Sequence, residues 1–329
     1  KLYERGFIVL MGCSDGASEN RHFNRSVLSE TVSSILGHSG AGHLPEYYRD
    51  MRVALPHPSD PSLLIFMMSD PPHIIKKLRN ALHSSGCNGH STKKKKRFTR
   101  LLENGVGADD KVYIRDQGYV NQNQSSSSGF IQWNEIRATW EAVDGDLNAL
   151  HSNTNVSARN FDLDYRSKMS VALAANILHE DFATKIIDVH CRESAATGSD
   201  AHAEKKLAAT REFVTQGHSF FSTFQDTTPI YNGDHPNLAK LEAVLFYFQS
   251  WAEESGAENS GKEGKHKFIP HGECFYDIKL TIISVITFIK YYLGCGSALG
   301  QMVESFGIKA GSVFVNLSKL HQDYCEHFF

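Results

Sequence analysis

Closely spaced cysteines are missing from this sequence. Its six cysteines (Cys13, Cys87, Cys191, Cys274, Cys295 and Cys325) lie far apart and form no Cys-x-x-Cys pair. A zinc finger and a dense disulfide scaffold lose support, and a reducing compartment fits best. An excess of basic charge is missing as well: 34 Lys and Arg stand against 37 Asp and Glu, a formal net charge of −3. No global positive field announces a nucleic-acid partner, so any DNA contact has to come from local patches. No apolar run reaches the roughly 20 residues of a membrane-spanning helix. The strongest, Ile278 to Leu293, carries Lys279 and Lys290 near its ends and predicts a buried helix; no membrane partner is expected. Phosphate-loop, Gly-x-Ser-x-Gly and His-Glu-x-x-His patterns do not occur, which weighs against a P-loop nucleotidase, a serine hydrolase and a zinc protease. No secretory signal pattern opens the chain, whose first residue is Lys1 rather than methionine.

What is present suits a soluble globular chain. It has 329 residues, 41% hydrophobic and 22% charged, enough for two or three domains with real cores. Gly6 to Cys13 is a short continuous apolar run ending in Ser14-Asp15-Gly16, which predicts a buried strand followed by a turn. Leu63 to Met68 predicts a second buried strand. Between them, Asn20 to Ile35 has helical spacing, with Phe23, Val27 and Leu28 on one side, so an α/β unit is expected. Beyond Pro72 the chain predicts helices over 74–82, 133–143, 168–189, 204–216, 238–253 and 275–293. Three polar, repetitive segments, 84–97, 121–128 and 253–267, read as loops or disordered insertions.

Four segments can carry chemistry. Asp15, where an apolar strand meets a turn, stands where α/β enzymes keep catalytic groups, although Asp is equally a good turn residue. Asp70 can cap a helix whose first residue is Pro71, and a helix start directly after a strand is an anion site. His73, Lys76, Lys77 and Asn80 then share one helix face; an ordinary capped helix with a solvated basic face explains the same spacing. Asp323 and Glu326 stand three apart, a spacing that suits metal binding or acid–base work and also plain exposed helices. Lys93 to Arg97 reads as a nuclear-localisation or phosphate-contacting patch, or as a solvated loop.

In order, these pieces resemble the transposase family of the P element and its vertebrate THAP-domain relatives. Cys13-Ser14-Asp15-Gly16-Ala17-Ser18-Glu19-Asn20-Arg21 is similar to the strand carrying that family's second catalytic aspartate. Asp70-Pro71-Pro72-His73-Ile74-Ile75-Lys76-Lys77-Leu78-Arg79-Asn80 resembles the signature that opens its insertion domain. Lys168-Met169-Ser170-Val171-Ala172-Leu173-Ala174 resembles a helix of that insertion, and Gln322-Asp323-Tyr324-Cys325-Glu326-His327-Phe328-Phe329 resembles the segment holding the last catalytic glutamate, with His327 where the family has Asn.

The resemblance implies an α/β plus mainly α fold: a partial ribonuclease-H-like sheet over 1–70, a helical GTP-binding insertion over 71–315, and a returning core helix over 316–329. It implies a cut-and-paste DNA transposase using an Asp-Asp-Glu site with two Mg²⁺ or Mn²⁺ ions, which activate the attacking oxygen and stabilise the leaving one. Asp15 and Glu326 would be catalytic metal ligands lying close together. Asp70, Lys76 and Asp323 would contact GTP in one pocket, with Asp144 and Asn148 as further contacts. The partners implied are transposon-end DNA, GTP and, in the full-length protein, further copies of itself, in the nucleus. Because the family's first catalytic aspartate lies well upstream of its second and fourteen residues precede Asp15, the chain is expected to be a fragment, inactive alone. The alternative is a domesticated, non-catalytic nucleotide- or DNA-binding protein. A conventional signalling GTPase is disfavoured by the missing phosphate loop.

Overall fold

A computed structural model of the chain describes residues 8–41, 44–86, 156–161, 163–184, 203–256, 273–294 and 312–320, with single positions 131, 133, 136, 137, 140 and 304. In chain order the elements are β1 (Met11–Ser14), α1 (Ser18–Val27), β2 (Glu30–Thr31), α2 (Val32–Ala41), α3 (Glu46–Arg49), β3 (Arg52–His57), β4 (Asp60–Ser69) and α4 (Pro71–Gly86). Then come α5 (Ala158–Phe161), α6 (Tyr165–Met169), α7 (Val171–Ile177), α8 (Ala203–Gln225), α9 (Pro236–Gly256), α10 (Glu273–Leu293) and a 3-10 turn at Leu317–Lys319. The chain divides into two compact units, one of Lys1–Ile74, Ser222–Leu245 and Tyr276–Phe329, the other of Ile75–Phe221 and Phe246–Phe275.

The first unit is built on a mixed sheet of order β1-β4-β3-β2. β1 runs parallel to β4, with Met11 opposite Phe66 and Ser14 opposite Ser69, while β3 is antiparallel to β4 and to β2. Both apolar runs contribute strands, but β1 covers only Met11–Ser14 and its residues are half-buried rather than buried, while β4 is longer than the run that predicts it. β3 was not predicted, because Arg52, Pro56 and His57 break its apolar pattern; the hairpin with β4 makes it a strand. Ser29 N–H donates to the Ala54 carbonyl, so by alternation Pro56 faces the side where the two-residue β2 has ended, and its missing N–H interrupts no ladder.

Two expectations for this region are corrected. Residues 20–35 are not one helix: α1 stops at Val27, Leu28 is extended, and β2 intervenes before α2. Nor does α1 bury Phe23, which is 54% exposed; it buries Arg21 and Asn24 instead. The reason lies on α10. Arg21 donates to the Asp277 carboxylate at 3.1 Å, and Arg25 stacks 4.4 Å over the Tyr276 ring, so α1 docks by its i, i+4 arginines.

The stretch of α10 from Tyr276 onward runs against β4 in the opposite direction. Thr281 Oγ1 bonds both the N–H and the C=O of Ser69 (3.0 and 2.8 Å), and Tyr292 Oη bonds both those groups of Leu64 (2.9 and 2.7 Å). Eleven helical residues at about 1.5 Å and five strand residues at about 3.3 Å span the same ~16.5 Å, which is why these hydroxyls meet both ends. Leu64 is a place where β4 overhangs its neighbour. Phe66 and Asp70 donate to Leu10 and Ser14, so Leu64 points the same way, before β1 begins. Phe66 packs on Phe288 and Tyr292 at 5.5 and 6.0 Å between ring centres. Ile278, Leu280, Val285 and Ile289 are fully buried, as a core helix requires. Among the described residues no helix is long and apolar enough to cross a membrane.

The second unit is helical in its described residues, with Phe213, Phe248 and Trp251 packed together and Trp133 against Phe161. The predicted helix 168–189 is broken at Ser170: α6 ends at Met169, and the Ser170 hydroxyl accepts from Leu173 N–H to cap α7. Helices α4 and α9 run to Gly86 and Gly256, into the starts of two predicted loops.

Candidate functional site

Parallel pairing puts the carboxyl-terminal ends of β1 and β4 side by side, Ser14 opposite Ser69. The next residue on each is an aspartate, so Asp15 and Asp70 emerge at one sheet edge. Such strand ends are where α/β folds present reactive and ligand-binding groups.

Asp15 leads into a turn at Gly16, whose φ of 66° lies in the left-handed region that glycine adopts without strain. One Asp15 oxygen accepts from Ala17 N–H at 2.9 Å and Asn20 Nδ2 at 2.6 Å, orienting the carboxylate against the start of α1. Asp70 is 1% exposed. Its N–H donates to Ser14 O at 2.7 Å, locking the two strand ends, and its C=O accepts from His73 and Ile74 to start α4. Its carboxylate meets His73 Nδ1 at 2.6 Å and accepts a weak bond from the Cys13 thiol at 3.8 Å. The imidazole is the more exposed member of that pair.

A third carboxylate, Asp277, is fully buried and accepts from Arg21 Nη1 at 3.1 Å and Ser69 Oγ at 3.2 Å. The Arg21 guanidinium also donates to the Gly16 carbonyl. Sequence reasoning assigned Asp277 no role; the available signal was a carboxylate one residue ahead of the strongest apolar run. Arg21 stood within a quoted motif without a function attached.

The structure therefore brings Asp15 and Asp70 to adjacent strand ends, whereas the resemblance gave them to different ligands. Lys76 is half-buried on α4. Asp144, Asn148, Asp323 and Glu326 lie outside the described residues, as do Lys93–Arg97 and residues 121–128. Among the described residues no three His, Cys, Asp or Glu side chains come together as a metal-holding group, so these alone do not make a metal centre. For direct contact between Asp70 and a nucleotide, His73 would have to swing away.

Two other quoted motifs meet within the second unit. Arg79, fully buried, donates to the carbonyls of Ser167 and Lys168 at 2.9 and 3.2 Å, and Asn80 Nδ2 donates to Lys168 O at 3.1 Å. The guanidinium thus satisfies carbonyls at the end of α6, where helix polarity favours a cation. Burial lowers the Arg79 pKa to about 10. His83, 5.1 Å from Trp133, falls to about 4, chiefly through burial, with Lys168 and Arg79 adding to it.

The mixed four-stranded sheet and the many helices together give a fold similar to that of a transposase of known structure. The solved structure that carries this comparison is the Drosophila P element transposase strand transfer complex, matched with a TM-score of 0.58 and 17% identity over 99% of this chain. This chain spans 55% of that chain's length. No family model and no curated protein matches the sequence.

Proposed function

We propose that this chain is part of a P-element-type DNA transposase, a metal-dependent enzyme that cuts and joins DNA. The observation that carries the reading is Asp15 at the end of β1, paired with β4 and Asp70, in a fold similar to a P element transposase. Four motifs in the family's order also support it. In this reading residues 1–70 belong to a ribonuclease-H-like core, 71–315 to a GTP-binding insertion and 316–329 to a returning core helix. Asp15 and Glu326 hold Mg²⁺ or Mn²⁺, which supplies charge stabilisation for phosphoryl transfer. Asp15's own part is to present a carboxylate already oriented by Ala17 and Asn20. GTP is bound by Lys76 and Asp323 with Asp70, Asp144 and Asn148, and serves assembly rather than fuel. The full-length protein acts as a homo-oligomer on transposon-end DNA in the nucleus.

Thermal melting with GTP, ATP and no nucleotide tests the nucleotide part. GTP at a hundred times its Kd should stabilise by about 2.7 kcal/mol, and ATP by less. Asp70→Ala and Lys76→Ala should each abolish the GTP-dependent shift. That shift is the readout, since Asp70→Ala also removes the buried bond to His73 and lowers stability by itself. Equal shifts from both nucleotides, or none from GTP in a folded sample, remove the nucleotide site. In the full-length gene product, Asp15→Asn should cut Mg²⁺-dependent DNA joining about a thousandfold, the loss of several kcal/mol of metal-supplied stabilisation. Undiminished joining removes the catalytic assignment.

A further inference from the structure

We propose that Asp277 is the positioning residue of this site, setting through one carboxylate both the turn that bears Asp15 and the strand end that bears Asp70. The inference rests on reading Asp15 as a functional carboxylate. One Asp277 oxygen accepts from Arg21 Nη1 at 3.1 Å, and the same nitrogen donates to the carbonyl of Gly16, the residue after Asp15. The other oxygen accepts at 3.2 Å from the hydroxyl of Ser69, the residue before Asp70. Thr281, one helical turn further along α10, accepts from the Ser69 N–H and donates to its C=O. Local spacing does not bring these groups together: Arg21 and Asp277 are 256 residues apart in the chain.

Stability alone does not account for a carboxylate here. Asp277 is fully buried, and well-packed apolar residues in place of a buried ion pair commonly stabilise as well or better. What they cannot do is accept two directional hydrogen bonds, one leading to each strand end. The pairing explains why α1 turns Arg21 inward and leaves Phe23 exposed.

Amide hydrogen exchange on the whole chain tests this, because two amides report the two arms. Ala17 N–H is held by the Asp15 carboxylate and Asp70 N–H by Ser14 O. Arg21→Lys should speed exchange at Ala17 about tenfold and spare Asp70; Ser69→Ala should do the reverse; Asp277→Asn should loosen both. Leu55 and Ile65, paired within the hairpin, should change less than about twofold in Arg21→Lys and Ser69→Ala. A uniform rise at all four positions in those two variants, or no rise at Ala17 in the first and at Asp70 in the second, overturns the proposal. If Asp277→Asn does not fold, the two single-arm variants still decide it. A parallel Mn²⁺ titration separates this from the functional reading. Asp15→Asn should remove binding and Arg21→Lys should weaken it about tenfold, as loss of a ligand-orienting partner does. Unchanged Mn²⁺ affinity in Asp15→Asn sinks the metal reading, while the exchange pattern still judges Asp277.

Discussion

Tyr292→Phe removes one oxygen atom, and the structure says what that atom does. The Tyr292 hydroxyl donates to Leu64 O at 2.7 Å and accepts from Leu64 N–H at 2.9 Å, at the point where β4 extends past β1. The ring contacts with Phe66 and Phe288 survive the change, so the packing contribution stays. Orphaning a fully buried donor or acceptor costs about 1–3 kcal/mol each. Leu64 is only half-buried, so water recovers part of this and the expected loss is about 2 kcal/mol. The same residue gives a pH signature. Burial raises the Tyr292 phenol from 10.0 to about 12, its bond from Leu64 N–H opposing the rise. The folded state therefore retains a proton that the unfolded chain releases. Its contribution is complete below pH 10 and is lost as pH rises through about 12, up to roughly 2–3 kcal/mol. Urea unfolding at pH 7 and at pH 9–12 should show both effects, the alkaline decline being shallower in Tyr292→Phe. A loss below about 0.5 kcal/mol at pH 7, with identical alkaline slopes, would refute the argument that this hydroxyl completes the ladder of β4.

Three further outcomes follow from burial. Asn24 is 1% exposed and its side-chain amide has no hydrogen-bond partner among the described residues, so Asn24→Leu should raise stability by about 1 kcal/mol in urea titrations. Asp277→Asn should lose about 3–5 kcal/mol by removing one charge of the buried pair with Arg21, whereas the double variant Arg21→Met/Asp277→Leu should stay within about 1 kcal/mol of the parent; equal losses would remove the ion-pair argument. His83 is held neutral with a pKa of about 4, below its ordinary 6.5, so the unfolded chain takes up that proton first. Stability of the second unit, followed by tryptophan fluorescence, should be complete above pH 6.5 and decline as pH falls towards 4, with a flatter profile in His83→Phe.

Strands β1 and β4 and the helix over 275–293 were legible because each holds a continuous apolar run; the expected burial holds for most of the helix but not for β1, which stands at the end of the described sheet with its four residues half-buried. Asp70 with Pro71 announced the start of α4, Pro71 being a residue whose missing N–H is no loss there; the Asp70 carbonyl starts the helix, while its carboxylate goes to His73 rather than to a helix N–H. Ser170 could have been recognised as a helix break on the same grounds, yet its apolar neighbours hid it. β3 was not legible, since Arg52, Pro56 and His57 suit a strand only when a hairpin partner supplies the ladder.

What the sequence by itself determined is which segments are apolar, where helices can start, and which aspartates stand at the ends of strands. Tertiary structure decided which of those ends are neighbours and which face of α1 turns inward. Helical spacing put Phe23 on the buried side because local periodicity weighs apolar area alone. The Asp277 carboxylate, 256 residues away, outweighs that preference by matching the charge of Arg21 in a buried site. A charge's worth depends on what lies within a few ångströms of it, and that distance is set by the fold and not by the order of residues along the chain.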